Sequence, residues 1–159
     1  MFPFSSKADL LKAGDVAPDF SAQASDGSTV QLKDLLGKGP IVLYFYPKDD
    51  TPGCTKEACG IRDSFAEFKK LKATVFGVSF DSVDSHKKFI AKYTLPFTLL
   101  ADTDKKIATA YGAAGAHSLV ASRVTFIIGN DGKIVRVFPK INPSEHSTEL
   151  QQALVELGQ

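Results

Sequence analysis

Three short apolar runs constrain this fold more than any other feature of the chain: IVLYFY (41–46), TVFGVSF (74–80) and RVTFIIG (123–129). They are rich in β-branched and aromatic residues, the pattern of strands buried on both faces of a sheet. Such a sheet needs helices on its faces, and the segments between the runs supply them. Cys54, Ala58, Ile61, Phe65 and Phe68 recur in steps of four, three, four and three, which is one face of a helix. Residues 81–93 carry an Asp or Ser cap and a stripe of Val83, Phe89, Ile90 and Tyr93. A short strand (97–102), a short helix (104–112) stopped by Gly112 and a terminal amphipathic helix (146–157) with Leu150, Leu154 and Leu157 complete the pattern.

Hairpins stand at both ends of this series. PDFSAQ (18–23) and TVQLKDL (29–35) flank an Asp26-Gly27 turn, and KIVRVF (133–138) pairs back after Asn130-Asp131-Gly132. The order hairpin, β, α, β, α, β, α, β, β, α reads as an α/β sandwich around a central mixed sheet. Length, and the lack of any composition shift, make residues 1–159 a single domain. The first dozen residues read as an arm, and 112–122 is the longest irregular stretch, a candidate mobile loop.

Charge removes some functions. Nineteen basic residues against eighteen acidic ones leave a net charge of +1, without the concentrated basic surface that nucleic acid binding needs. Lys69, Lys70 and Lys72 close a helix and read as a solvated terminus. No run of 18 apolar residues is present, so no helical membrane span is expected. The opening MFPFSSKADLLKAGD lacks the basic and apolar regions of a secretory leader, while a removed transit peptide stays open. The expected compartment is the cytoplasm, with a plastid as the alternative.

The two cysteines, Cys54 and Cys59, would close a ring of only six residues, the weakest staple that loop entropy allows. Chemistry explains them better. They lie in PKDDTPGCTKEAC (47–59), between a buried strand and a helix, at the sheet edge where ligands tend to bind. Cys54 falls in the first helical turn, where unpaired N–H groups and the helix dipole favour a thiolate, the nucleophilic form. A peroxide would need that thiolate in line with its O–O bond and donors for the leaving oxygen. Thr51 can present its hydroxyl, and the N–H groups of Gly53 and Cys54 can add to it. Pro47 and Pro52 stiffen the loop, with Pro47 shielding the sulfur, and Arg123 is a candidate cation carried in by a neighbouring strand.

In an ideal helix the two cysteine Cα atoms lie about 8.6 Å apart and point about 140° away from each other. A disulfide wants less than about 7 Å, so the first turns must unwind before the sulfurs can join. Thr55, Lys56, Glu57 and Gly60 make that feasible, since little apolar contact is expected there, and Glu57 is expected at the surface beside Arg62 or a lysine. His86, His117 and His146 fit no ligand spacing and read as structural or solvent-facing. A metal carrier using both cysteines and a histidine, and a thioredoxin-type oxidoreductase, are the alternatives; the offset opposes the first, and the lack of C-x-x-C opposes the second.

PKDDTPGCTKEAC resembles the active-site signature of peroxiredoxins, with Pro47, Thr51 and Cys54 at the family's proline, threonine and peroxidatic cysteine. AGDVAPDF (13–20) is similar to its entry strand, and SRVTFIIGNDGKI (122–134) to the strand carrying its arginine, here Arg123. A second cysteine five residues on resembles the bacterioferritin-comigratory-protein or PrxQ subfamily. The resemblance implies a thioredoxin-like fold with an added N-terminal hairpin and reduction of hydrogen peroxide and alkyl hydroperoxides. It implies resolution by Cys59 and reduction of the disulfide by thioredoxin or a related dithiol protein. It also implies a monomer with no metal, haem or flavin.

Overall fold

The computed structural model describes residues 10–115 and 117–158. The strands are β1 (Ser21–Ala24), β2 (Thr29–Gln31), β3 (Ile41–Phe45), β4 (Thr74–Ser79), β5 (Thr98–Ala101), β6 (Val124–Ile128) and β7 (Ile134–Phe138). The helices are α1 (Pro52–Asp63), α2 (Phe65–Lys70), α3 (Val83–Tyr93), α4 (Lys106–Tyr111) and α5 (His146–Leu157). The strands form one mixed sheet in the order β2-β1-β5-β4-β3-β6-β7. β3, β4 and β5 run parallel, and β1 and β6 flank them antiparallel. All five residues of both β3 and β6 are buried, as expected for unalternating apolar runs.

Alternate residues of the strands build two cores. Leu43, Phe45, Val78, Leu100 and Phe126 pack under Ile107, Ala108 and Tyr111 of α4. Val42, Tyr44, Leu99 and Ile127 face the other way, against Ala58 and Ile61 of α1, Phe68 of α2, Phe89 of α3 and Leu150 of α5. At the sheet centre Gly77 pairs with Tyr44, and a Cβ on Gly77 would meet the Tyr44 ring at 2.7 Å. Only glycine lets that ring lie across β4.

The N-terminal hairpin forms, but β2 ends at Gln31 and Leu32–Asp34 turn into a short 3-10 helix that buries Leu32. The apolar stripe from Cys54 to Phe68 is carried by two helices, not one. Ser64 leaves helical geometry (φ −107, ψ 10) and separates α1 from α2, while the spacing of buried residues continues across it. Leu157, expected on the buried stripe of α5, is exposed, and the helix buries His146, Leu150, Ala153 and Leu154 instead. Of the arm read over the first dozen residues, positions 1–9 lie outside the described residues. The described part of 112–122 is tied down: Ser122 N–H donates to the Ala113 carbonyl, and Lys105 Nζ to that of Ser118. Among the described residues, no helix is long and apolar enough to cross a membrane.

Candidate active site

The site lies where β3 passes into α1. β3 delivers the chain to the carboxyl edge of the sheet, and the turn through Pro47 to Thr51 reverses it into the helix. That turn is held at two neighbouring residues. Asp49 is buried: its carboxylate accepts from the Tyr46 hydroxyl and, at 2.8 Å, from Ser85 Oγ, and lies 2.7 Å from His86 Nδ1. Its N–H donates to Asp81 Oδ2 at 2.8 Å. Asp50 adopts φ 58, unfavourable for a residue with a Cβ, and is held there by Lys92 Nζ and the Tyr93 hydroxyl at 2.7 and 2.8 Å. The Lys92 contact holds the Asp50 carboxyl below its ordinary range. Two bonds from α3 thus offset backbone strain immediately before the helix.

Thr51 is the N-cap residue, and its carbonyl accepts the Thr55 N–H. Its hydroxyl donates to the Lys48 carbonyl at 2.9 Å, so the proton expected to serve as a donor is engaged within the turn. The Thr51 oxygen is left as an acceptor. Pro47 is half-buried at the end of β3. Cys54 is the third residue of α1, 2% exposed. Among the described residues, the N–H groups of Gly53 and Cys54 have no backbone partner. They point out of the helix start as free donors.

Arg123 is carried to the sulfur by β6, the antiparallel neighbour of β3. Its Nη2 donates to Cys54 Sγ at 3.3 Å, and its Nη1 to Glu57 Oε1 at 2.9 Å. The space above Gly53 belongs to this arginine: a Cβ there would come within 3.1 Å of Nη2. Cys59 lies later in the same unbroken helix, half-buried, and both thiols are free.

Glu57 corrects the sequence reading. It is not a surface partner of Arg62, which pairs with Asp63 instead; its side chain is fully buried. Burial pushes its carboxyl up to about 7, against the pull of Arg123. Glu57 Oε2 has no hydrogen-bond partner among the described residues and lies 3.8 Å from His146 Nε2. His146 is itself buried, 2.8 Å from Thr125 Oγ1, and burial, with the field of Arg123 added, draws its imidazole down to about 4. The Tyr44 hydroxyl is buried and unpartnered, and burial raises its phenol well above its ordinary value. None of these three was singled out as a site residue from the sequence. Two of them left a signal: Glu57 is three residues after Cys54 and four before Ile61, and His146 is four before Leu150, so both sit on buried stripes.

The described residues hold one cluster of possible metal ligands, Asp49, Asp81 and His86. Its donor atoms are already hydrogen-bonded, His86 Nε2 to the Leu100 carbonyl included, so it serves as a structural clamp on the turn. It contains neither cysteine.

A mixed sheet of this order, with a buried cysteine at a helix start under a guanidinium, defines a thiol-based enzyme of the thioredoxin-like class. The chain belongs to the AhpC/TSA family, whose family model matches residues 13–137. It is 43% identical over 146 residues to a putative peroxiredoxin bcp of Coxiella burnetii, covering 88% of this chain and 96% of that protein. It is 40% identical over 149 residues to a chloroplastic peroxiredoxin Q of Triticum aestivum, covering 92% of this chain and 68% of the relative. The bacterioferritin comigratory protein of Xanthomonas campestris, solved as a trapped intermediate/ligand complex in work on its alkyl peroxide reduction, superposes with a TM-score of 0.84. That match has 30% identity and covers 96% of this chain and 99% of the other. The enzyme is a peroxidase of the peroxiredoxin kind, with a peroxide as substrate and a thiol as reductant.

Proposed function

We propose that the protein, acting as one domain and as a monomer, reduces hydrogen peroxide and organic hydroperoxides with Cys54 as nucleophile and Cys59 as resolving thiol. The observation that carries this reading is the buried Cys54 sulfur at the start of α1, 3.3 Å from Arg123 Nη2. Arg123 and the helix start stabilise the thiolate, which attacks the terminal oxygen of the hydroperoxide. The S–O bond forms as the O–O bond breaks, and the leaving oxygen departs as water or an alcohol after protonation. The free N–H groups of Gly53 and Cys54 and the guanidinium are the available donors for that oxygen. The Thr51 oxygen accepts from the hydroperoxide O–H, and Pro47 shields the sulfur from bulk water.

The Cys54 sulfenic acid then condenses with the Cys59 thiol, releasing water, once α1 has opened. Thioredoxin or a related dithiol protein reduces the strained disulfide. Organic hydroperoxides are included because the Xanthomonas campestris relative was described for alkyl peroxide reduction. A reducing cytoplasm suits the cycle; the wheat relative, named chloroplastic, supports a plastid as the alternative.

The test is a pair of variants assayed with hydrogen peroxide and thioredoxin. Cys54→Ser is expected to lose all turnover and all peroxide-dependent thiol loss. Cys59→Ser is expected to form one trappable sulfenic acid per chain and then stall. Continued turnover in Cys54→Ser would remove the nucleophile assignment.

A further inference from the structure

Arg123 serves two acidic groups with one guanidinium: Nη1 meets the Glu57 carboxylate and Nη2 the Cys54 sulfur. Both acids are taken out of water, Glu57 entirely and Cys54 to 2% exposure. A second buried anion without its own cation is strongly disfavoured. Among the described residues, no other cation meets Glu57. From α5 it faces His146, held neutral by burial, with Glu149 beyond it at 3.5 Å from Nδ1. The un-ionised Tyr44 of β3 lies close enough to feel the charge of Glu57, and His146 is itself bonded to the Thr125 hydroxyl of β6. One positive charge therefore balances one negative charge, and two groups compete for it.

We propose that Glu57 is the proton partner of Cys54 across Arg123: its carboxyl holds a proton while the sulfur is a thiolate and releases it when the sulfur loses its charge. This deepens, and rests on, the reading of Cys54 as nucleophile. The balance is thiolate plus hydroperoxide plus carboxylic acid giving sulfenic acid plus alcohol (or water) plus carboxylate. The sulfur is oxidised by two electrons and the O–O bond is reduced. The proton gained by the leaving oxygen is matched by the one lost from Glu57. The buried triad carries the same net charge before and after, so the step creates no uncompensated charge in the protein. Glu57 touches neither sulfur nor peroxide; it acts through Arg123 and is a positioning residue. The unpartnered Oε2, turned away from Arg123, is the atom free to carry the proton. Burial of the carboxyl puts its titration in the neutral range, where such an exchange is possible.

Proton uptake during a single turnover tests this. Reduced Cys59→Ser protein, in weak buffer near neutral pH with an indicator dye, is mixed with stoichiometric hydrogen peroxide. Mass spectrometry counts the sulfenic acid at residue 54. The expected uptake is well below one proton per sulfenic acid. In the Glu57→Gln, Cys59→Ser protein, which keeps an acceptor for Arg123 Nη1, it is expected to rise to about one. Equal uptake in the two proteins overturns the inference. An infrared difference spectrum of the Cys59→Ser protein alone is the second arm, valid even if the glutamine variant does not fold. Loss of a protonated-carboxyl band on oxidation is expected, and an unchanged carboxyl region overturns the proposal. No sulfenic acid at residue 54 in any protein would instead remove the nucleophile reading, a failure the mass spectrum reports separately.

Discussion

Glu57 and His146 stand 3.8 Å apart in the same dry pocket and respond to it in opposite senses. Burial raises the carboxyl from 4.5 to about 7, so between those values the folded protein holds a proton that the unfolded chain has released. Stability from this group falls as pH rises through that window. Burial lowers the imidazole from 6.5 to about 4, so there the unfolded chain holds the extra proton, and stability rises with pH. The two slopes oppose each other and nearly cancel where the windows overlap, each being worth at most on the order of 3 kcal/mol across its span. Urea unfolding of the reduced protein across the overlap is therefore expected to vary little with pH. Glu57→Gln is expected to expose a rise in stability with pH, and His146→Gln a fall. Parallel profiles for the parent and both variants would mean that neither group titrates in the folded protein as argued. Both residues were hard to read from the chain for one reason. A polar residue on an apolar stripe shows that it is buried, but its partner lies on another element, here Arg123 before β6 and Thr125 within it. The placement of Cys54, Thr51 and Pro47 about the helix start was legible because all three lie in one turn, but the bond from the Thr51 hydroxyl to the Lys48 carbonyl was not. Arg123 was legible because antiparallel pairing of two recognisable strands brings it there.

At the scale of elements, α1 carries both the buried Cys54 under Arg123 and the obstacle to completing the proposed cycle. Its N-terminal boundary was legible from the turn and cap residues, and the strands beside it from unbroken apolar runs. The break at Ser64 was not, because Ile61, Phe65 and Phe68 keep helical spacing straight through it. Nor was the strength with which α1 is held. The sequence suggested a first turn with few anchors; the structure fastens it through Glu57 to Arg123 and buries Cys54, Ala58 and Ile61. Opening α1 means breaking that ion pair, while the turn before it stays clamped by Asp49 and Asp50 to α3 and its N-terminal approach. Oxidation with stoichiometric peroxide is thus expected to strip hydrogen-exchange protection from residues 54–61 while α3 (Val83–Tyr93) keeps it. Unchanged protection across α1 would remove the unwinding step, and loss spreading through α3 would remove the clamp.

For the molecule as a whole, the proposed cycle would alternate between a reduced state with every element packed and an oxidised state that has traded a helix for a six-residue ring. The ring gains little: loop-closure entropy for six residues is worth about 2 kcal/mol. Against it stand the exposure of Ala58 and Ile61, now fully packed on the sheet and together worth about 2–4 kcal/mol, and the loss of the α1 hydrogen bonds between the two cysteines, each worth about 1 kcal/mol. The losses exceed the gain, so this disulfide is expected to destabilise the protein that contains it. A difference of a few kcal/mol in a chain of this length corresponds to a drop in Tm of about 5–10 °C on oxidation. Calorimetry of the peroxide-treated protein, repeated after full reduction with a small dithiol, measures it directly. Recovery of the higher Tm on reduction is the expected result, and the Cys59→Ala variant, unable to form the ring, should show no such drop. An oxidised Tm equal to or above the reduced one would mean that α1 closes the disulfide without surrendering its packing.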